Sequence, residues 1–396
     1  MPLWDESLVD DEVERERLDS RGVLRALATA GAQVRAAMDL SLEAGVDRVA
    51  GGERPRGVLV AAVGGSAVVG DTLALLAEPG SPVPLAQAAS LPLPGWIGPL
   101  DLVVAVSESG RAAGPLALAA EAARRGAALL TVGAVDSPLA AVCASARGVH
   151  VGLARGGMSS RTALWGMLTP VLLAADALGL TRTPVDVLTA VADRLDAGAA
   201  ACRPSSDAFV NPAKLLAADL AGGLPVILGD GPVAGVAARR AATMLARTAR
   251  YPAPSGELPS AASEIVALLD GPFTSHGARE TDLAAAVDDI FRDPFLDGAP
   301  DPRLVLVLLR GPLAGQAGSL AARADADGDD LADAVATAAQ DAGIRVREHR
   351  AEPGHPLAQL AELVGLVDFT ATYLALGLGL DPGVSAQVRA LGDHGR

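Results

Sequence analysis

The sequence predicts an α/β protein made of two tandem domains, each a parallel sheet flanked by helices. Three observations carry that expectation. Apolar runs of strand length alternate with Ala-rich amphipathic segments. Two of the early strands end in small Gly and Ser residues that open a helix. After a stretch broken by Pro, Ser and Asn at residues 202–212, the same order of elements begins again. The 396 residues suffice for two domains, each burying its own core.

In the first half, strands are expected at residues 58–63, 102–106, 128–132 and 149–153. Crossover helices are expected at 69–76 and 115–125, then helices from about 161 to 178 and up to about 201. In the second half, strand 224–228 runs into Gly229-Asp230-Gly231 and helix 233–247, followed by strand 304–309, helix 329–341, strand 344–349 and a long helix from 355 to about 378. The predicted boundaries are an acidic segment at 1–22, a first domain at 23–202 and a second at 203–396. Residues 317–330, acidic and rich in small side chains, read as a mobile loop; the glycine in Asp325-Ala326-Asp327-Gly328-Asp329 is misplaced for a calcium-binding EF-hand loop.

Composition narrows the function classes. Half of the chain is hydrophobic but only 3% is aromatic, so the cores must be built from Ala, Val and Leu. A net charge of -15 argues against nucleic acid, because counterion release needs a concentrated basic surface. An anionic ligand must therefore be held by local donors. Lys214 is the only lysine. Cys143 and Cys202 lack CxxC or Cys-His spacing and read as buried or linker thiols. The charged N-terminal segment has no apolar core, and no uninterrupted run reaches the length of a membrane span. The expectation is a cytoplasmic protein with no signal peptide, membrane partner or metal.

Chemistry concentrates in two turns. Gly64-Gly65-Ser66 follows the first strand and Ser107-Glu108-Ser109-Gly110 the second. A strand that stops at small residues and enters a helix leaves backbone N–H groups and the positive end of the helix dipole together, which makes an anion site. Hydroxyls of Ser66, Ser107 and Ser109 add donors without bulk, so the ligand reads as a phosphorylated small molecule; the alternative is a pair of ordinary capped βα turns. Arg239, Arg240, Arg247 and Arg250 are spaced to gather charge on one side of a helix, which would suit a bisphosphate or nucleotide sugar. Trp96 and Trp165 read as core or interface residues. His150 lies beside a strand; His349, His355 and His394 read as exposed or cap positions.

Further along the chain come Gly70-Asp71, Arg111, Ser160-Arg161, Asn211-Pro212-Ala213-Lys214, Gly256-Glu257-Leu258-Pro259, Glu264-Ile265-Val266, Asp368 to Tyr373, and Gly379-Leu380-Asp381-Pro382. In this order and spacing, over almost the whole length, the chain resembles tandem sugar isomerase (SIS) domain proteins, specifically the bifunctional phosphoglucose/phosphomannose isomerase family. The resemblance implies a homodimer that binds hexose 6-phosphates and interconverts aldose and ketose through a cis-enediolate without metal or organic cofactor. It assigns Ser107, Ser109, Gly110 and Arg111 to the phosphate clamp, Gly64, Gly65 and Ser66 to the first sugar-binding loop, and Arg161 to stabilising the enediolate.

Departures from the family pattern shape the expectation. Ala112 replaces the clamp threonine, and Ala67 a glycine. Arg247 aligns with the proton-shuttling glutamate, Ala262 with the ring-opening histidine and Ser263 with an asparagine. Gly383 and Gly392 align with a threonine and a lysine. The sequence is therefore read as a phosphosugar-binding protein whose isomerase chemistry is weak or lost. The alternative is an active hexose-6-phosphate isomerase in which Glu264 is the base and His276 the acid. Structurally, Glu264 also reads as a helix N-terminal carboxylate, and His276 as part of a surface loop. A sensor or scaffold role is a third class, without a helix-turn-helix to reach DNA.

Overall fold

The computed structural model describes residues 4–77, 81–153, 158–274, 303–312, 321–388 and 390. The chain forms two compact units, one gathering Arg25–Ala200 with His355–Ala361, the other Met1–Leu24, Ala201–Gly354 and Glu362–Arg396. It opens with helices α1 (Ser7–Asp10), α2 (Glu12–Leu18), α3 (Val23–Ala28) and α4 (Ala30–Ala44). Asp11 caps α2 by accepting from the N–H groups of Val13 and Glu14.

The first unit contains β1 (Val58–Ala61), α5 (Val68–Ala77), β2 (Leu85–Ala88), β3 (Leu102–Ser107), α6 (Ala113–Arg124), β4 (Ala128–Ala134), α7 (Pro138–Ser145), β5 (Val149–Leu153), α8 (Leu164–Ala177) and α9 (Val185–Ala201). The sheet is parallel, in the order β2-β1-β3-β4-β5. The central strands β1 and β3 are buried at every position, which is why they read as continuous apolar runs. β2 escapes that signal. It pairs on one side only, its Leu-Ala-Gln-Ala is half-exposed, and its place comes from pairing Leu85 to Val58. On one face, Leu59, Val103 and Leu129 meet Leu118, Ala119 and Ala122 of α6 and Leu139 of α7. Alanine at the helix positions lets α6 lie close to the sheet with few aromatics to fill the gap. α8 also packs on the sheet, with Met167, Leu168, Val171 and Trp165 buried.

The second unit contains α10 (Pro212–Leu220), β6 (Gly223–Asp230), α11 (Gly231–Met244), a π-helical turn at Leu245–Ala249, β7 (Ser255–Leu258), α12 (Ala262–Leu268), β8 (Arg303–Arg310), α13 (Ala321–Asp341), β9 (Arg345–Arg350) and, from Glu362 on, α14 (Pro356–Gly377). Its parallel sheet runs β7-β6-β8-β9. Most of the expected loop at 317–330 is in fact helical, because α13 begins at Ala321; residues 317–320 lie outside the described ones. The alanines favour helix strongly enough to carry it through Gly328. α14 is long and apolar enough to cross a membrane but is mostly buried in the protein, as a core helix is.

Charge is buried here in paired form. The Arg240 guanidinium donates to both carboxylate oxygens of Asp368, at 2.9 and 2.8 Å, with the side chains 1% and 5% exposed. That bidentate pair ties α11 to α14. Lys214, equally buried, donates to the Asp10 carboxylate at 2.7 Å and to the carbonyls of Pro204 and Ser206 at 2.8 and 2.9 Å. The first described residues are thereby fastened to this unit, helped by the Asp5 N–H bonded to the Gly377 carbonyl.

Removing one partner of a buried ion pair strands the other charge, so Asp368→Ala is expected to cost about 3–5 kcal/mol, read from urea unfolding midpoints. Both cysteines are free and buried; burial pushes the Cys143 thiol up and the Cys202 thiol to about 12. Neither is expected to react with a thiol reagent in the folded protein, and both should react in denaturant.

Candidate functional site

In both sheets the strand order reverses between the first strand and the third. Connections leave β1 and β3 towards opposite sides, opening a crevice beyond their carboxyl ends, where open α/β sheets take ligands. In the first unit the two Gly/Ser turns flank this crevice, since β1 and β3 are paired neighbours from Val58↔Leu102 to Ala61↔Ala105.

The turn after β3 is closed by the Gly110 N–H donating to the Ser107 carbonyl at 2.8 Å. Gly110 has φ +63°, and a side chain there would collide with Ser137, the N-cap of α7. The Ala134 N–H bonds the Glu108 carbonyl and the Leu139 N–H bonds the Gly110 carbonyl, so the β4–α7 connection braces the loop from outside. The serine geometry is the informative part. Ser107 Oγ accepts from the Ala112 N–H and Ser109 Oγ from the Arg111 N–H, each at 3.3 Å. A hydroxyl that accepts from the backbone keeps its own hydrogen for a ligand. Ala112 gives α6 no side-chain cap, leaving the positive end of this helix towards the same loop. Half-buried Glu108 is the one acid of the loop, and burial raises its carboxyl above the ordinary value.

After β1, Gly64–Ser66 forms one 3-10 turn leading into α5. Ser66 Oγ donates to the Val63 carbonyl at 3.3 Å, so its hydrogen is directed into the turn. Arg161 comes to this loop from far along the chain. A Cβ placed on Gly65 would lie 3.0 Å from Ser160 Oγ and 3.2 Å from both Arg161 Cγ and Arg161 N. Residues 159–162 form a tight turn, with the Thr162 N–H donating to the Ser159 carbonyl at 2.9 Å and the Ser159 N–H to Thr162 Oγ1 at 3.1 Å. Beneath it, Gln33 of α4 donates to the Thr162 carbonyl at 2.8 Å and accepts from the Gly166 N–H at 3.3 Å. Gln33, a buried amide on the mainly apolar inner face of α4, was missed by sequence reasoning, and so was the cap signal in Ser137-Pro138.

The corresponding crevice of the second unit is filled by charge. Arg310, at the end of β8 and 1% exposed, pairs with Asp230 at the end of β6 at 3.2 Å, and with Asp333 and Glu348. The expected arginine cluster is also dispersed: Arg240 is buried on Asp368, Arg239 reaches Glu257 at 3.3 Å, Arg250 bonds the carbonyls of Thr248 and Val384, and Arg247 is exposed. Consecutive helical arginines point in different directions, and each has found its own partners or solvent. No bisphosphate surface forms there.

Glu264 is exposed in the first turn of α12. His276 and His394 lie outside the described residues. His150 is within β5, its Nδ1 2.8 Å from Thr131 Oγ1, and burial lowers its pKa. His355 accepts from the Leu357 N–H at the start of α14, as a cap does. His349 departs from the exposed or cap expectation, being half-buried with Nε2 3.7 Å from the Glu362 carboxylate. Trp96 is 40% exposed, in contrast to buried Trp165.

Residues 209–393 match the family of bacterial phospho-glucose isomerase C-terminal SIS domains. The tandem SIS resemblance holds. Among solved structures, a hypothetical protein from Thermus thermophilus superposes with a TM-score of 0.67 at 15% identity, over 96% of this chain and 92% of that one. A glucose-6-phosphate isomerase like protein from the same organism gives 0.51 at 23% identity, over 96% and 99%. Tagatose-6-phosphate ketose/aldose isomerase from Escherichia coli gives 0.57 at 14% identity, over 96% of each. At these identities the likeness is one of fold. No curated protein sequence matches the chain significantly.

Gln33→Leu would leave the Thr162 carbonyl and the Gly166 N–H without their buried partner. A loss of about 1–3 kcal/mol is expected, measured by thermal or urea unfolding.

Proposed function

We propose that this chain binds a sugar phosphate in the β1/β3 crevice of its first unit, the phosphate on the Ser107–Arg111 loop and the sugar towards Gly64–Ser66 and Arg161. The carrying observation is the pair of serine hydroxyls, Ser107 and Ser109, whose oxygens accept from the loop while their hydrogens stay available. Their O–H groups and the start of α6 would share a dianionic phosphate, with the Arg161 cation towards the sugar; charge-assisted bonds of this kind run roughly twice the strength of neutral ones. The names of the similar structures, two of them isomerases or isomerase-like for hexose 6-phosphates, favour the same ligand class.

Isomerase chemistry, in this reading, is weak or lost. An aldose–ketose exchange needs a base to carry a proton between C1 and C2 and an acid to open the ring. Arg247 and Ala262 stand where the resemblance places those groups. At Gly383, aligned with a threonine, a Cβ would lie 2.6 Å from the Arg21 Cβ, so the packing favours glycine there. Gly392 is outside the described residues. The alternative takes Glu264, exposed in the first turn of α12, as base and His276, outside the described residues, as acid. No cofactor is needed for either version. A homodimer accompanies the proposal, as the resemblance implies, and a cytoplasmic location, as the expected lack of a signal peptide or membrane-length run implies.

The test is a thermal-shift screen with glucose 6-phosphate, fructose 6-phosphate, mannose 6-phosphate, hexose 1-phosphates and inorganic phosphate. A ligand at a hundred times its dissociation constant should add about 2.7 kcal/mol of stability. Ser109→Asp, which sets a carboxylate against the phosphate, is expected to abolish the shift while leaving the unliganded midpoint within about 0.5 kcal/mol of the parent. A coupled assay between mannose 6-phosphate and fructose 6-phosphate is expected to read far below ordinary enzyme turnover; ordinary turnover would replace this reading by the Glu264/His276 one.

A further inference from the structure

Three loops of the first unit converge on the crevice, and the third has so far appeared only as the carrier of Arg161. Ser160, the residue before it, occupies the outer corner of the 159–162 turn and faces the Gly65 turn, with Oγ 3.0 Å from the position a Gly65 side chain would take. Among the described residues its hydroxyl has no hydrogen-bond partner, although every other hydroxyl of that turn and of the two Gly/Ser loops has one: Ser66 with Val63, Ser107 with Ala112, Ser109 with Arg111, and Ser159 with Thr162. The turn itself is rigidly held, by the Ser159 to Thr162 bonds across it and by Gln33 beneath it. A half-buried hydroxyl on a fixed turn, directed at a glycine and left without a partner, is a donor held ready for something outside the protein.

We propose that Ser160 is a ligand-binding residue of the crevice, donating its O–H to an oxygen of the bound sugar phosphate beside the Gly65 turn. This rests on the sugar-phosphate reading above and adds a contact to it. Gly65 is what lets the turn come this close, because a side chain there would press on Ser160 Oγ and on Arg161. The Ser107 and Ser109 hydroxyls lie on the neighbouring loop, so a ligand bridging β1 and β3 meets donors from both sides.

The experiment is a calorimetric titration of the full chain with the hexose 6-phosphate that gives the largest thermal shift, for the parent, Ser160→Ala and Ser160→Thr, each checked by circular dichroism for a native spectrum. Loss of one hydrogen bond to a charged or polar ligand should raise the dissociation constant of Ser160→Ala about tenfold, with Ser160→Thr, which restores the hydroxyl, returning to within about threefold of the parent. Parent binding with an unchanged constant in Ser160→Ala overturns the assignment while leaving the sugar-phosphate reading intact. An equal loss in both variants also overturns it, since the hydroxyl would then be irrelevant. No binding by the parent removes the sugar-phosphate reading and this assignment with it.

Discussion

Reversal of strand order between β1 and β3 is the constraint on which the first unit's architecture turns. Parallel strands all end on one side of a sheet, and their connections ordinarily cover those ends. Where two neighbours send their chains to opposite faces, the cover is missing and helix N-termini and turn amides face the gap. The rest of the unit follows from keeping that gap small but open: fully buried β1 and β3, alanines that let α6 lie close, and glycine where the 159–162 turn meets the first loop. The second sheet shows that topology alone is insufficient. With the same reversal, the end of its β8 carries Arg310 among the carboxylates of Asp230, Asp333 and Glu348, so that cation is already engaged and acids outnumber it.

What could be read from the residues followed burial. Strands buried on both faces, such as Val58–Ala61 and Leu102–Ser107, announce themselves as apolar runs close to their observed limits. Of the edge strands, β5 and β9 were read from the sequence but β2 and β7 were not. Leu85–Ala88 and Ser255–Leu258 owe their conformation to one neighbour each, and nothing in Leu-Ala-Gln-Ala or Ser-Gly-Glu-Leu requires it. Both Gly/Ser loops were legible because short-range features build them: a strand end, a turn and a helix start. The arginine group from Arg239 to Arg250 was misread for the opposite reason. Arg240 is neutralised by Asp368, 128 residues away, and no local pattern could reveal that partner. Gln33 was hidden in the same way, its role being set by a turn 129 residues further on.

Energetically the two units manage a scarcity of aromatics differently. The first relies on close approach of small side chains, with Leu118, Ala119 and Ala122 fully buried against the sheet. The second adds oriented polar bonds inside its core: the Arg240–Asp368 fork, and the Tyr373 hydroxyl donating to the Cys202 carbonyl at 2.7 Å. Such bonds contribute little net stability when formed and cost heavily when half broken, so they select one arrangement of helices more than they strengthen it.

The sealed Lys214 has a chemical consequence. Its three N–H bonds are all taken, and it is the only lysine of the chain. Open-chain hexose phosphates carry a carbonyl that condenses with exposed primary amines to give imines and, in time, permanent adducts. With its single ε-amine locked inside, this chain offers such sugars no lysine to glycate.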